Sequence, residues 1–140
     1  MIQRIQSLYL LIAAAMLVLF VVLGETWAVG VSAELTWLGP LAYGLSVLTA
    51  IAALVSVALF KTRERQRALI GWTMWLDLAT VAAVLVGLFA TAEAVPEGAA
   101  GPYGRYLVAL LPVGAYILLR LARAGVHRDI DVVKSMDRLR

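Results

Sequence analysis

The chain of 140 residues contains no cysteine and a single histidine, His127. The absence of cysteine excludes disulfides, iron–sulfur clusters, thiolate zinc sites and cysteine nucleophiles. One histidine cannot form a bis-histidine haem site or a multi-histidine metal site within one chain, so no metal or cofactor is expected. No enzymatic activity is expected either. An aspartyl protease needs two carboxylates in one site, and a serine hydrolase needs a histidine beside its serine.

Charged residues are also scarce, at 15% of the chain, whereas hydrophobic residues make up 63%. A soluble domain typically has about 25% charged and about 45–50% apolar residues. The chain therefore has too little polar surface to cover a water-soluble globule, and its apolar content also argues against disorder. This composition predicts an all-α integral membrane protein.

Four apolar runs approach the length of about 20 residues that a membrane-spanning helix needs. They predict a single four-helix domain with spans at about 8–28, 39–60, 68–92 and 106–121. Residues 122–140 form a tail in which Val126, Ile130 and Val133 recur at helical spacing between charged residues. This spacing predicts a short amphipathic helix that lies on the membrane surface or on a partner.

The basic residues are distributed unevenly among the loops. The N-terminus, the loop after the second span and the tail contain eleven of the twelve, and the 93–105 loop contains only Arg105. The positive-inside rule then places both termini in the cytoplasm. Anionic lipid headgroups are the expected partner of these bases, and nucleic acid is not. The candidate contacts in the loop are Lys61, Arg63, Arg65 and Arg67.

Small residues recur at steps of four along two of the predicted spans. Such stripes allow the backbones of membrane helices to approach closely. They predict either packing against other spans of the same chain or contact with another subunit. The residues are Ala42, Ser46 and Ala50 in the second span, and Ala79, Ala83, Gly87 and Thr91 in the third.

Asp77 is the one charged residue within the predicted third span. A carboxylate in the hydrocarbon region costs several kcal/mol, so it is a functional candidate by default. Thr73 and Thr80 lie one helical turn away on the same face and extend it into an intramembrane polar seam. Arg120, at the end of the fourth span, is the candidate ion-pair partner of Asp77.

Three interpretations of Asp77 remain open from the sequence. It pairs with Arg120 or accepts hydrogen bonds from neighbouring hydroxyls, and so fixes the helix register. It receives a basic residue of another membrane subunit. Or it is the protonatable site of a small transporter, working as a dimer, in which Pro112 allows the fourth span to bend.

The two ends of the chain and the basic loop resemble segments of a known protein family. The segments MIQRIQ at residues 1–6, FKTRERQ after the second span and RDIDVVKSMDRLR at the end resemble a family of uncharacterised four-span inner-membrane proteins of Bacteroidota, known only as a domain of unknown function. The resemblance implies four spans with both termini inside. It implies no activity, cofactor or catalytic residue. The tail residues that carry it are Asp129, Val133, Ser135, Asp137, Arg138, Leu139 and Arg140, and all of these except Leu139 are also the candidate contacts with a partner or lipid.

The leading hypothesis is a non-enzymatic accessory or scaffold subunit that associates with another membrane protein, or with itself, through its spans and tail. On this hypothesis, deletion of residues 126–140 should leave insertion intact and abolish a partner contact. The alternative is a small proton-coupled transporter that uses Asp77.

Overall fold

The computed structural model describes residues 2–32, 35–60, 62–90 and 103–137. These residues form five helices and no strand. Four of the helices are long and apolar enough to cross a membrane, which confirms the prediction of an all-α protein with four candidate spans. The helices are α1 (Ile2–Leu23), α2 (Glu25–Ser32), α3 (Leu38–Ala58), α4 (Arg63–Ala90) and α5 (Gly104–Asp137).

The four long helices form an antiparallel bundle. Both α1 and α4 pack against α3 and α5, so the helices surround a common interior. A hydrogen bond from Gln6 to Asp129 joins the start of α1 to the last part of α5. At the same end, Arg67 near the start of α4 contacts His127 of α5. We call this the basic end, because it carries the side chains of Arg63, Arg65, Arg67, Arg120, Arg123 and Arg128. The opposite end, where α2 lies, is the α2 end.

The buried positions of α4 recur at alternating steps of four and three, which is the pattern of left-handed helix bundles. They are Gln66, Ile70, Thr73, Asp77, Thr80, Val84 and Gly87, and Ala83 beside Val84 is buried as well. The buried face of α4 thus includes four polar or charged residues, while large apolar side chains cover the outside, where a bilayer would contact them. Examples are Leu48, Ile51, Phe89, Leu107 and Leu110.

The small-residue stripes pack largely within the chain. Ala42, Ser46 and Ala50 are all buried in the bundle, and so are Ala83 and Gly87 of α4. Ala79 is exposed, so the predicted stripe of the third span does not follow a single face. These contacts favour packing against neighbouring spans of the same chain over contact with another subunit.

The first apolar helix ends five residues before the end of the predicted span of 8–28. It ends at Leu23, and a turn at Gly24 leads into the separate helix α2. A Cβ atom at Gly24 would meet the carbonyl oxygen of Phe20 and lie 2.8 Å from the hydroxyl of Tyr43, so this close approach requires glycine. Helix α2 buries Trp27, whose indole N–H donates to the Val84 carbonyl at 3.3 Å.

The tail is not a separate helix on the membrane surface. Helix α5 continues without interruption from Gly104 to Asp137. Val126 and Ile130 are buried in the same apolar cluster as Leu10 of α1. The apolar stripe of the tail therefore covers α1 of the same chain for its first two positions, and Val133 is exposed beyond them.

Candidate functional site

Asp77 lies near the middle of α4 with its side chain in the bundle interior. The residue is 0% exposed, and neither carboxylate oxygen has a hydrogen-bond partner among the residues that the structure describes. An ionised carboxylate buried without donors costs several kcal/mol. The site therefore calls for a proton, a cation or a donor that the surrounding side chains do not supply.

The hydroxyls of the interior do not solvate Asp77. Thr73 donates to the Leu69 carbonyl at 2.9 Å, and Thr80 donates to the Leu76 carbonyl at 3.1 Å. Ser46, Thr49 and Ser56 of α3 are 0% exposed and donate to backbone carbonyls four residues earlier in the same way. Each of these hydroxyl protons is thus used within its own helix, and only lone pairs remain to face a neighbour.

The predicted pairing of Asp77 with Arg120 does not occur. Arg120 is exposed and lines a cavity between α4 and α5, on the outside of the bundle. The physical reason is helix geometry. Leu119 occupies the buried position of α5 at this level, and the next residue points about 100° away from it.

Docking of another subunit onto Asp77 also meets an obstacle. A carboxyl group with no exposed surface is out of reach of a basic side chain from outside unless the helices separate. The described residues thus provide neither the Arg120 pair nor the hydroxyl hydrogen bonds of the first interpretation, and they leave no exposed carboxylate surface for another subunit.

The basic end forms a second cluster of functional candidates. Arg67 Nη1 lies 3.3 Å from His127 Nδ1, and His127 Nε2 lies 3.7 Å from Asp131 Oδ2. The first contact joins α4 to α5, and the second lies within α5. Arg65 is exposed and Arg63 is half-buried at the start of α4. Lys61, predicted in the same loop, lies outside the described residues.

The tail residues of the predicted partner surface divide into two groups. Asp129 accepts a hydrogen bond from Gln6 Nε2 at 3.0 Å, so it fixes the tail to α1 and is not free for a partner. Val133 and Ser135 are exposed, and Ser135 donates to the Val132 carbonyl at 2.7 Å. The side chain of Asp137, together with Arg138 and Arg140, lies outside what the structure describes.

The contact between Gln6 and the tail is a feature that the sequence did not reveal. Gln6 is only 4% exposed, and Gly125 makes room for it. A Cβ atom on Gly125 would lie 2.8 Å from Cγ of Gln6. The available signal was a glutamine near the start of an apolar helix, together with a glycine within a helical tail. Neither residue indicates its partner without the fold.

The sequence of the chain matches the profile of a protein family. A family profile described as a domain of unknown function, DUF4293, matches residues 36–139. The chain belongs to the DUF4293 family. The match covers α3, α4 and α5, and therefore includes Asp77 and the cluster at the basic end. No curated protein and no solved structure matches the chain.

The family description assigns no activity, so function has to be argued from the site. Within the described ranges, no group of three or more histidine, cysteine, aspartate or glutamate side chains is placed to hold a metal ion. The two candidate sites are therefore the buried carboxyl of Asp77 and the cationic surface of the basic end.

Proposed function

We propose that this DUF4293 protein is a non-enzymatic integral membrane protein that serves as an accessory or scaffold subunit of a larger membrane complex. It would reside in a bacterial inner membrane, as in Bacteroidota, with the basic end and both termini in the cytoplasm. The clustering of arginines at one end of the bundle supports this orientation, because cytoplasmic segments of membrane proteins are enriched in Lys and Arg.

The observation that carries the accessory role is the continuation of α5 beyond the apolar bundle. The hydrogen bond between Gln6 and Asp129 and the burial of Ile130 attach this extension to α1. Its outer face is left uncovered, with Val132 57% exposed and Val133 43% exposed. A rigid helix that presents apolar side chains between charges suits recognition by the groove of another protein.

The experiment compares substitutions on this outer face with a matched control. Deletion of residues 126–140 is unsuitable, because it removes the buried Val126 and Ile130 as well. Val132→Ser combined with Val133→Ser leaves the α1 contacts in place. The protein is purified from native membranes in mild detergent, and its co-purifying proteins are identified by mass spectrometry.

We expect the wild type to retain a stoichiometric membrane partner and the double variant to lose it. The control combines Trp37→Ser with Tyr103→Ser, which removes two exposed apolar side chains at the α2 end. The control should keep the partner. Equal retention by all three proteins contradicts a partner site on α5, and the absence of any partner from the wild type contradicts the accessory role.

The unpartnered carboxyl of Asp77 favours a second candidate function, proton-coupled transport. A buried carboxyl group without a hydrogen-bond donor can hold a proton or bind a cation, and such groups mark ion pathways in membrane proteins. On this proposal, two copies of the chain would form the pathway and Asp77 would be the carrier site in each.

The transport proposal is tested in reconstituted vesicles under a pH gradient. Asp77→Asn preserves the size of the side chain and removes its ability to carry a proton, so flux should fall to the level of empty vesicles. Thr73→Val is the control, since it removes a hydroxyl from the same seam and leaves the carboxyl intact. Equal flux from wild type and Asp77→Asn, or no flux from either, rejects transport through Asp77.

A further inference from the structure

A cavity of about 540 Å³ lies between α4 and α5 toward the basic end, on the outer side of the bundle. Neither the accessory role nor transport through Asp77 accounts for it. Its lining combines cationic and apolar side chains: Arg67, Met74, Tyr116, Arg120, Arg123, Ala124 and His127.

The charge in this cavity is of one sign. No carboxylate lines it, and within the described parts of the chain neither Arg120 nor Arg123 has an ion pair or a hydrogen bond. Asp131 lies 3.7 Å from His127, on the Nε2 side of its ring. Three guanidinium groups gathered around one cavity repel each other, and a bound anion relieves that repulsion. Guanidinium is also the group that matches the oxygens of a phosphate by paired hydrogen bonds.

The shape of the cavity indicates an amphiphile. From Tyr116 to His127 the cavity follows twelve residues of α5, or about 16 Å of helix. Its cationic side chains lie toward the basic end, and Met74 and Tyr116 lie toward the bundle centre. On the same helix as Met74, Trp72 and Trp75 are 71% and 68% exposed, which is typical of aromatic side chains at the headgroup level of a bilayer.

We propose that this cavity binds an anionic phospholipid. Arg120 and Arg123 hold the phosphate group, Arg67 and His127 close its outer edge, and the first part of an acyl chain lies along Tyr116 and Met74. The same guanidinium groups would attract a free phosphate, but the apolar inner wall gives a lipid additional contact that inorganic phosphate lacks. The proposal requires only that the bundle lies in a membrane, and it is independent of the accessory and transport roles.

The test is lipid titration of the full-length protein in detergent, followed by native mass spectrometry. Phosphatidylglycerol is compared with phosphatidylcholine, whose headgroup has no net charge. We expect one phosphatidylglycerol to bind the wild type in clear preference to phosphatidylcholine. Arg120→Gln combined with Arg123→Gln should weaken binding about thirtyfold, since each arginine beside an anionic lipid contributes a factor of about five.

The matched control is Arg65→Gln combined with Arg128→Gln. It removes two exposed arginines from the same end of the bundle, and neither lines the cavity. The control should bind phosphatidylglycerol within about twofold of the wild type. Equal weakening by both double variants shows diffuse attraction to the basic end and overturns the proposal.

A further variant changes the shape of the site and keeps every charge. A Cβ atom on Gly71 would lie 3.7 Å from the guanidinium carbon of Arg123, so Gly71→Leu directs a side chain into the space around that group. We expect this variant to bind phosphatidylglycerol several-fold more weakly, with the helix content of the wild type by circular dichroism. Unchanged binding in Gly71→Leu and in the Arg120/Arg123 variant overturns the site.

A competition experiment distinguishes a binding site for lipid from a binding site for free phosphate. Inorganic phosphate and glycerol phosphate are added at millimolar concentration to the complex with phosphatidylglycerol. A lipid site retains its ligand, because neither competitor contacts the apolar wall. Displacement of the lipid by either competitor identifies a site for soluble phosphate and refutes the assignment to a phospholipid.

Discussion

Replacement of Gly125 by alanine is expected to destabilise the bundle, although alanine is the better helix former. A Cβ atom at this position would lie 2.8 Å from Cγ, 2.9 Å from Nε2 and 3.1 Å from Cδ of Gln6. Distances below 3.0 Å force the Gln6 side chain to move. Because Gln6 Nε2 is the donor to Asp129, this movement breaks the contact between α1 and the end of α5.

The expected change in the free energy of unfolding is the sum of two opposing contributions. Loss of a hydrogen bond to a charged group costs about 1.5–3 kcal/mol. The exchange of glycine for alanine within a helix gains about 1 kcal/mol. Gly125→Ala should therefore lower the free energy of unfolding by about 0.5–2 kcal/mol.

The sign of the effect should reverse when Gln6 is absent. Gln6→Ala removes all three atoms that the new Cβ would meet, so Gly125→Ala in that background should stabilise the protein by about 1 kcal/mol. Gly44→Ala is the control, since a Cβ atom there has no neighbour within 4 Å and only the helix term remains. The assay is unfolding by SDS titration in mixed micelles, followed by circular dichroism. A loss of equal size with and without Gln6 refutes the reasoning.

The remaining predictions concern the α2 end and the interior, with the same unfolding assay. Gly87→Val should cost about 1–3 kcal/mol by overpacking, because even its Cβ would lie 2.7 Å from Trp27 and from Val31. Trp27→Phe should cost about 1 kcal/mol or more, since the Val84 carbonyl loses the indole donor. Ser46→Ala should be close to neutral, because the hydroxyl donates only to a carbonyl of its own helix. A large loss in Ser46→Ala would indicate a partner across the bundle.

The four spans could be predicted from the sequence because hydropathy depends on local composition alone. The interior could be predicted in part from the rare polar residues of the spans. In a bilayer, apolar side chains are stable on the lipid-facing surface of a bundle as well as in its interior. A polar side chain within a span therefore indicates the buried face better than an apolar one does. Thr73, Asp77 and Thr80 are all 0% exposed, whereas many leucines face outward.

The end of α1 could not be predicted in the same way. Residues 25–32 are apolar enough to extend a span, and the break depends on how closely Gly24 approaches Tyr43 of another helix. The surface that the tail contacts could not be predicted from the sequence either. The spacing of Val126 and Ile130 indicated a helix with an apolar face, but membrane, partner and α1 all offer an apolar surface. Only the fold shows that α1 covers the face, since the Gln6–Asp129 contact joins residues 123 positions apart.

In the structure, Arg120 and Asp77 belong to two separate candidate sites. The sequence predicted an ion pair between Arg120 and Asp77. The register of α5 places the Arg120 side chain on the outer surface of the bundle, whereas the Asp77 side chain lies in the interior. Arg120 faces a cavity with other cations, where an anion would lower the electrostatic energy. Asp77 is buried without a hydrogen-bond donor among the described residues, and a proton or a cation would lower the electrostatic energy there. The two sites therefore call for ligands of opposite charge, and Asp77→Asn should leave phosphatidylglycerol binding unchanged while Arg120→Gln leaves any flux through Asp77 unchanged.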